Sequence, residues 1–199
     1  MTKAVSSQPK TKRGIERRAK ILAAAEQVIG EKGFAAASIA DITRAADTAS
    51  GTFYIYFSGK DVLFRELVED MGRATRSQAA ERIATAANRL EAERAGLEAY
   101  LIVVRDRPMQ YRIVEEARFV DPDAYRTYYS EFGKAYADQL QQAAERGEIS
   151  AGDAEVRAWA LMGIAKTLGE RFVLWEEGEV DIERVVAEAH QFICNGLAP

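Results

Sequence analysis

The sequence predicts an all-α fold of about nine helices, with an N-terminal three-helix helix-turn-helix domain followed by a larger helical domain. Apolar residues recur at three- and four-residue spacings along most of the 199 residues, which is the helical period. No window of six residues shows a convincing strand alternation. Glycine, Asp-Pro and Ser-Gly signals separate the periodic stretches, so each stretch is expected to form one helix.

The first third of the chain predicts a basic tail and two capped helices. Residues 1–12 are polar and basic with few apolar anchors, which favours disorder. From Ile15 the apolar residues form one helical stripe, and Gly33 suits a cap at its C-terminal end. Ser38, with Asp41 three residues later, is typical of an N-terminal capping box and starts a short second helix.

A turn and a third helix are predicted next. Asp47 lies where a left-handed residue is needed, and Asp tolerates that conformation better than most other residues. The third helix is predicted to start directly after it. Phe53 and Phe57, four residues apart, are expected in the core, which leaves Tyr54 and Tyr56 off that stripe and free to face a partner.

The remaining helices are placed by Pro, Gly and Asp signals. A fourth helix is predicted from Lys60 past residue 80, because no strong breaker precedes Gly96. Five further helices are predicted from Leu97 to Val104, from Pro108, from Ala124 to Arg146, from Asp153 to Glu177 and from Asp181 to Asn195.

Charge is distributed unevenly along the chain. The 27 basic and 31 acidic residues give a net charge of −4, yet the first 60 residues hold ten basic side chains against five acidic ones. A basic end on an acidic body is expected where that end meets a polyanion, and a solubilising tail explains it equally well. The sequence lacks a long apolar span or an apolar signal segment, so a cytoplasmic protein without a membrane span is expected.

The sequence offers little for catalysis or metal binding. Cys194, the single cysteine, excludes an internal disulfide, and with His190 it supplies two ligands where zinc needs three or four. A Cys–His nucleophile pair is conceivable at this spacing, but an oxyanion-hole loop and a glycine-rich phosphate loop are both missing. We therefore expect a non-enzyme with no cofactor, no metal site and no catalytic residue.

Three sequence features resemble one known family. They are the first helix RRAKILAAAEQVIGEKGF, the Ser-capped second helix, and the string SGTFYIYFSGKDVL, followed by an acidic helical remainder. Over residues 15–71 the chain resembles the DNA-binding domain of TetR-type (tetracycline-repressor-like) transcriptional regulators. The resemblance implies a helix-turn-helix DNA-binding domain over residues 13–58 and a ligand-binding and dimerisation domain over residues 59–199. The chain departs from the family at Asp47-Thr48, where many members have Gly-Val, and at Ser50, where many have Lys.

The resemblance implies that the third helix enters the major groove of double-stranded DNA. Ser38 and the first amides of its helix would hold a phosphate, while Tyr and Thr hydroxyls and Lys60 would contact the sugar–phosphate backbone. Arg44 either reaches the DNA or lies on a solvated surface, and Arg17 would make nonspecific phosphate contacts. The predicted DNA-contact residues are Arg17, Ser38, Arg44, Thr48, Ala49, Ser50, Gly51, Thr52, Tyr54, Tyr56 and Lys60.

Aromatic residues interleaved with cations mark two later segments. Such a cluster suits an apolar ligand with an acidic group; alternatively, the aromatics fill a helical core and the cations extend to solvent. This half resembles the TetR-type subgroup tied to acyl-coenzyme A and aromatic-acid catabolism, which implies an acyl- or aryl-coenzyme A, fatty acid or aromatic effector. The predicted ligand-binding residues are Arg112, Phe119, Tyr125, Tyr128, Tyr129, Phe132, Trp159, Met162, Lys166 and Arg171.

The last two helices have broad apolar faces. The resemblance implies that they pair with a second copy in a homodimer on a palindromic operator; alternatively, both helices are buried within one subunit. The predicted interface residues are Leu161, Leu168, Phe172, Val185, Ala189 and Phe192. The implied function is a repressor that an effector releases from DNA. The alternative is a helical ligand-binding or adaptor protein without sequence-specific DNA binding, against which the basic N-terminal third argues.

Overall fold

A computed structural model describes residues 9, 11–176 and 178–197 of the chain. Over these residues it contains nine α-helices, a short π-helical turn and no strand, which confirms the predicted all-α class. None of these helices has an apolar stretch long enough to cross a membrane. The helices are α1 Lys12–Lys32, α2 Ile39–Ala45, α3 Ser50–Tyr56, α4 Lys60–Ile83, α5 Arg89–Asp106, α6 Pro108–Val120, α7 Pro122–Glu145, α8 Ala154–Gly169 and α9 Ile182–Leu197, and the π-helical turn is Glu170–Leu174.

The chain divides into two compact units. Unit 1 comprises Met1–Gly72 and Met109–Tyr128, and unit 2 comprises Arg73–Pro108 and Tyr129–Pro199. Unit 1 therefore contains α1 to α3, the first half of α4 and nearly all of α6. Unit 2 contains α5, α8, α9 and most of α7.

Unit 1 is built around an aromatic core. Phe53, Phe57 and Phe64 are each 0% exposed, which confirms the core positions predicted for the first two. The ring of Phe34 packs edge-on against Phe64, with 4.8 Å between the ring centroids. Because the first half of α4 supplies part of this core, the compact unit continues to Gly72, past the domain boundary that the sequence places before α4.

Local capping sets the ends of the first helices. Gly33, with φ of 77°, closes α1 and donates a backbone hydrogen bond to Ile29 O at 2.7 Å. Ser38 Oγ accepts from the amide of Asp41 at 3.0 Å, and the Asp41 carboxylate accepts from the amide of Ser38, so the predicted capping box is confirmed. Asp47 has φ of 48°, the left-handed conformation predicted for it, and turns the chain between α2 and α3.

The start of α1 differs from the prediction of a disordered tail over residues 1–12. Residues 1–8 and 10 lie outside the described residues. Thr11 and Lys12, however, belong to the first helix, because Thr11 Oγ1 caps it by accepting a hydrogen bond from the amide of Gly14 at 3.2 Å.

The start of α5 was predicted wrongly. The fourth helix runs past residue 80 as predicted and ends at Ile83, but the next helix was expected from Leu97 and begins at Arg89. Asn88 caps α5, because its side-chain oxygen accepts a hydrogen bond from the amide of Glu91 at 3.0 Å. An Asn followed three residues later by an acidic residue is a helix-start signal, whereas an internal glycine only weakens a helix.

Unit 2 is organised by the packing of α5 against α8 and α9. Its core cluster joins Leu140 of α7 to Leu161 of α8 and Ile193 of α9. At the end of α8, a Cβ added to Gly169 would lie 3.1 Å from Tyr100 Cε1, so glycine allows this close approach to α5. The helix predicted from Asp153 onwards does begin there, with Asp153 capping α8, but its last part is the π-helical turn.

Candidate nucleic-acid interface and interior sites

The outer face of α3 carries small and exposed side chains. At about 100° per residue, Ser50, Gly51, Tyr54 and Ile55 share one side of this helix. Tyr54 is 58% and Ile55 62% exposed, while Phe53 on the opposite side is fully buried. Ser50, Gly51 and Tyr54 are therefore accessible to another molecule, and their contact with DNA stays a prediction.

The residues before and within α3 complete this surface. Ala49 is exposed and forms the N-cap position without a side-chain hydrogen bond. Thr48 is half-buried, and its amide donates to Thr43 O at 2.9 Å, which holds the turn against α2. Thr52 is half-buried as well, so its hydroxyl lies at the edge of the outer face rather than at its centre.

Tyr56 was predicted to lie outside the core, but the structure buries it. It is only 8% exposed, and its ring centroid lies 6.5 Å from that of Phe57. The helical period explains the error, since Tyr56 lies about 60° from Phe53 around the helix axis and joins the buried side. Its hydroxyl points towards the start of α1, near Gly14. A phosphate contact through that hydroxyl stays a prediction.

Lys60 has an internal role that the sequence did not predict. Its ammonium group donates hydrogen bonds to Phe34 O at 2.6 Å and to Ala37 O at 2.7 Å. The same group lies 4.2 Å from the centroid of the Phe34 ring. Lys60 therefore ties the connection between α1 and α2 to the start of α4, and its contact with a phosphate stays a prediction.

Asp41 occupies the start of α2, where a phosphate was predicted. The Ser38 hydroxyl donates to it at 2.8 Å, and Lys32 and Arg44 lie 3.2 Å and 3.3 Å away. The hydrogen bond from Ser38, followed by the one from Lys32, lowers the pKa of Asp41 to about 2. The Ser38 amide and hydroxyl thus face a carboxylate, and the Arg44 side chain, 77% exposed, lies on the surface beside it.

The start of α1 presents basic side chains. Lys12, Arg13 and Arg17 are exposed, as nonspecific contact with a polyanion requires of Arg17. The neighbouring Arg18 instead forms an ion pair with Glu66 of α4 inside unit 1. Arg17 therefore belongs to the basic surface of α1, whereas Arg18 lies on another side of the helix and forms an internal ion pair.

Part of the predicted ligand site comes together in unit 2, between α7 and α8. A Cβ added to Gly133 would lie 3.4 Å from the Trp159 ring and 3.6 Å from Met162 Sδ, so both side chains of α8 pack against α7 at this position. The Lys166 ammonium lies 5.4 Å from the Tyr129 ring centroid. Phe132 lies on α7 next to Gly133, and its ring packs against Tyr136. We call these predicted residues of α7 and α8 the α7–α8 cluster: Tyr129, Phe132, Trp159, Met162 and Lys166.

Other predicted ligand residues do not join this cluster. Arg112, Phe119, Tyr125 and Tyr128 belong to unit 1. Phe119 is 82% exposed, and its contact with a ligand stays a prediction. Arg171, predicted as an interior cation, is exposed and pairs with Glu176 at 2.7 Å, because the π-helical turn leaves it at the surface.

The predicted dimer residues line a shallow groove, with one exception. A groove of about 300 Å³ runs between α8, the π-helical turn and α9. Phe192 at its edge is 70% exposed, whereas Leu161 is buried in the core of unit 2, and its assignment to an interface is therefore wrong. The predicted residues that line the groove are Leu168, Phe172, Val185, Ala189 and Phe192.

A buried polar network in unit 2 was not predicted. Arg89 and Glu93 of α5 are 7% and 3% exposed and pair at 2.7 Å. Arg89 also donates to Gln139 at 2.8 Å, and Glu93 accepts a short hydrogen bond from the Tyr136 hydroxyl. Burial raises the pKa of Glu93, and burial followed by the charge of Glu93 raises the pKa of Tyr136. The four-residue spacing indicates the ion pair, but it does not indicate its burial.

His190 and Cys194 lie side by side on α9, as their spacing predicts. His190 Nε2 is 3.3 Å from Cys194 Sγ and 2.9 Å from the carbonyl oxygen of Leu90. A carbonyl only accepts, so Nε2 carries the proton, and it cannot take another from the thiol. In the residues that the structure describes, no group of three or more His, Cys, Asp or Glu side chains is placed to hold a metal ion.

Comparison with known proteins gives a consistent result. The family model described as "Bacterial regulatory proteins, tetR family" matches residues 21–67. The HTH-type transcriptional regulator YvdT of Bacillus subtilis is 54% identical over 52 residues, 26% of this chain and 27% of that protein. The HTH-type transcriptional regulator YdgC of the same organism is 24% identical over 94% of this chain and 95% of its own length. A crystal structure of AibR in complex with isovaleryl coenzyme A and operator DNA superimposes with a TM-score of 0.70 at 18% identity, over 88% of this chain and 97% of AibR.

Unit 1 presents the exposed face of α3, which follows α2 after the left-handed turn at Asp47. Residues 21–67 are thus similar to the tetR family of bacterial regulatory proteins, and the solved structure of AibR shares the all-α fold. The match to YvdT spans about a quarter of that relative, so it concerns the DNA-binding domain alone. The match to YdgC and the likeness to AibR extend the common fold to both units.

Proposed function

We propose that this protein is a ligand-responsive transcriptional regulator that acts in the cytoplasm as a repressor and leaves a palindromic operator when it binds an effector. The observation that carries the proposal is the outer face of α3, which a left-handed Asp47 presents beside the basic start of α1. A helix with small residues at its start can reach base edges, and the surrounding hydroxyls and cations suit phosphates.

Operator binding is tested by a gel shift with the DNA upstream of the protein's own gene, at 50 and 200 mM salt. Regulators that make six to ten phosphate contacts lose roughly 10³- to 10⁵-fold in affinity over this range. We expect tight binding to the upstream DNA at low salt and a steep loss at high salt. Equal affinity for upstream and random DNA would favour a nonspecific binder, and no binding at low salt would favour the adaptor protein.

The proposed homodimer is formed by the groove between α8, the π-helical turn and α9. Phe172 and Val185 line this apolar groove and Phe192 stands exposed at its edge, so two copies related by a two-fold axis can cover each other's apolar surface. A two-fold dimer places two α3 helices on half-sites about 34 Å apart, which matches a palindromic operator.

The proposed effector site is the α7–α8 cluster. Its aromatic and thioether side chains suit an apolar group, and Lys166 beside the Tyr129 ring supplies a positive charge for a carboxylate or for a phosphate of coenzyme A. The fold shared with AibR, crystallised with isovaleryl coenzyme A and operator DNA, supports an acyl- or aryl-coenzyme A as first candidate, with fatty acids and aromatic acids next.

Ligand identity is tested by thermal shift. A ligand that binds only the folded state raises its stability by about 2.7 kcal/mol at one hundred times its dissociation constant. We expect one class among acyl- and aryl-coenzyme A esters, fatty acids and aromatic acids to raise the melting temperature of the wild type. Lys166→Met should reduce that shift for acidic ligands. A clear shift with another class and none with any coenzyme A ester would overturn the coenzyme A assignment.

A further inference from the structure

The composition of α3 limits how it can recognise bases. Its sequence, SGTFYIY, contains no Arg, Lys, Asn or Gln. These are the side chains that form paired hydrogen bonds with the edges of guanine or adenine in the major groove. If α3 reads DNA, as proposed above, it must tell bases apart mainly by hydroxyl and apolar contacts.

Ile55 is the aliphatic side chain on the outer face of α3. It is 62% exposed, although its neighbour Phe53 is fully buried. Gly51 lies four residues earlier on the same face, and a Cβ added there would have nothing within 4 Å. The backbone next to Ile55 is therefore uncovered, so this part of α3 can approach a partner surface closely.

A surface that complements both Ile55 and the nearby cations of unit 1 combines an apolar group with negative charge around it. Exposed Lys12, Arg13 and Arg17 at the start of α1 belong to the same unit as α3 and complement a polyanion. In the major groove of DNA, the apolar group between the phosphate chains is the C5-methyl group of thymine. An exposed branched aliphatic side chain gains free energy when such a methyl group covers it.

From these observations we infer that Ile55 reads a thymine methyl group, so that each operator half-site carries an A·T pair opposite the C-terminal half of α3. This inference rests on the proposed DNA-binding function and specifies its base preference. Tyr54, 58% exposed on the same face, borders the contact and supplies a hydroxyl for the sugar–phosphate backbone.

The test begins with the selection of bound duplexes from a random-sequence pool by the full-length wild-type protein. In the selected duplex, each thymine is then replaced in turn by deoxyuridine, which pairs identically but lacks the C5-methyl group. One position per half-site is expected to weaken binding about fourfold, which corresponds to about 0.8 kcal/mol for one buried methyl group. With Ile55→Ala, the same replacement is expected to change affinity by less than about twofold.

Two further variants are compared with Ile55→Ala, one as a matched control and one as a milder change. Ile15→Ala removes an equally aliphatic side chain that is 55% exposed on α1, and it should keep the full sensitivity to deoxyuridine. Ile55→Val keeps two methyl groups and should retain part of that sensitivity, which serves as the measurement if Ile55→Ala binds too weakly. Circular dichroism checks that each variant is folded.

The outcomes separate the inference from the function on which it rests. A selected site that tolerates deoxyuridine at every position, or full sensitivity in both Ile55 variants, overturns the thymine contact but leaves DNA binding intact. If the wild type enriches no sequence from the pool, the proposed function fails, and the inference fails with it.

Discussion

At the scale of single residues, neither packing nor backbone conformation inside the protein requires a glycine at position 51. Nothing lies within 4 Å of a Cβ added there, and Gly51 is absent from the residues with a positive φ. A helical glycine nevertheless destabilises a fold by roughly 0.5–1 kcal/mol relative to alanine. This cost is consistent with a need for close approach by another molecule.

We therefore expect Gly51→Ala to raise the free energy of unfolding by up to about 1 kcal/mol and to weaken operator binding. The added methyl group stands on the outer face of α3, where it separates the helix from DNA. Urea unfolding and fluorescence anisotropy measure the two effects. Gly96→Ala inside α5, where the added Cβ meets Ile83 at an ordinary 3.7 Å, is the control and should leave DNA affinity unchanged. Unchanged affinity in Gly51→Ala would contradict the contact.

Asp41 makes the folding stability of the protein depend on pH. Its pKa is lowered from 3.8 to about 2 in the folded protein, so its charge stabilises the fold above pH 4. This stabilisation is lost as the pH falls towards 2, because the folded state then has to take up a proton that the unfolded chain binds more readily.

Asp41→Asn should accordingly flatten the decline in stability between pH 4 and pH 2. Urea unfolding followed across this range measures the slope, and Asp61→Asn, an exposed first-turn residue of α4, serves as the control. An identical slope in the wild type and Asp41→Asn would show that the capping box does not hold this charge.

At the scale of elements, the Arg89–Glu93 pair joins α5 to α7. Removing one partner of a buried ion pair leaves an uncompensated charge and typically costs about 3–5 kcal/mol. Arg89→Met should destabilise the protein by about that amount, and the double variant Arg89→Met/Glu93→Leu by clearly less than the sum of the two single changes. Chemical denaturation of all three variants tests this, and additive effects would argue against direct coupling.

Some features of the helices could be predicted from the local sequence pattern, and others could not. The capping box at Ser38, the turn at Asp47 and the burial of Phe53 and Phe57 are local, and all three are confirmed. Local patterns failed where tertiary packing decides, as for Arg89, whose burial depends on α7, far along the chain. Tyr56 is a different case, since the helical period itself places it about 60° from Phe53, on the buried side of α3.

The residues of the candidate sites could likewise be predicted only where the local sequence determines their position. The residues on α3 could be predicted because one helix and one period determine its outer face. The ligand site could be predicted only in part, since the position of Phe119 and Arg171 depends on how a helix end and a π-helical turn expose them. Lys60 shows that a charged side chain can satisfy internal carbonyls even where a resemblance implies a phosphate contact.

At the scale of the whole molecule, we expect dimerisation and operator binding to fail together. Phe192→Glu places a charge on the 70% exposed side chain at the edge of the groove, and burying that charge in an interface would be costly. Sedimentation equilibrium should show a monomer, and operator affinity should fall because each subunit then binds one half-site alone. Val156→Glu, which is 64% exposed outside the groove, is the control. A stable Phe192→Glu dimer would place the interface elsewhere.

The central claim is that this chain binds a specific palindromic operator as a two-fold dimer. DNase I footprinting of the region upstream of its own gene, with and without the ligand found by thermal shift, tests it most directly. We expect a protected site with two inverted half-sites centred about 34 Å apart, and we expect the protection to disappear when the ligand is added. Uniform partial protection along the fragment, or a single unpaired half-site, would contradict operator binding by a two-fold dimer.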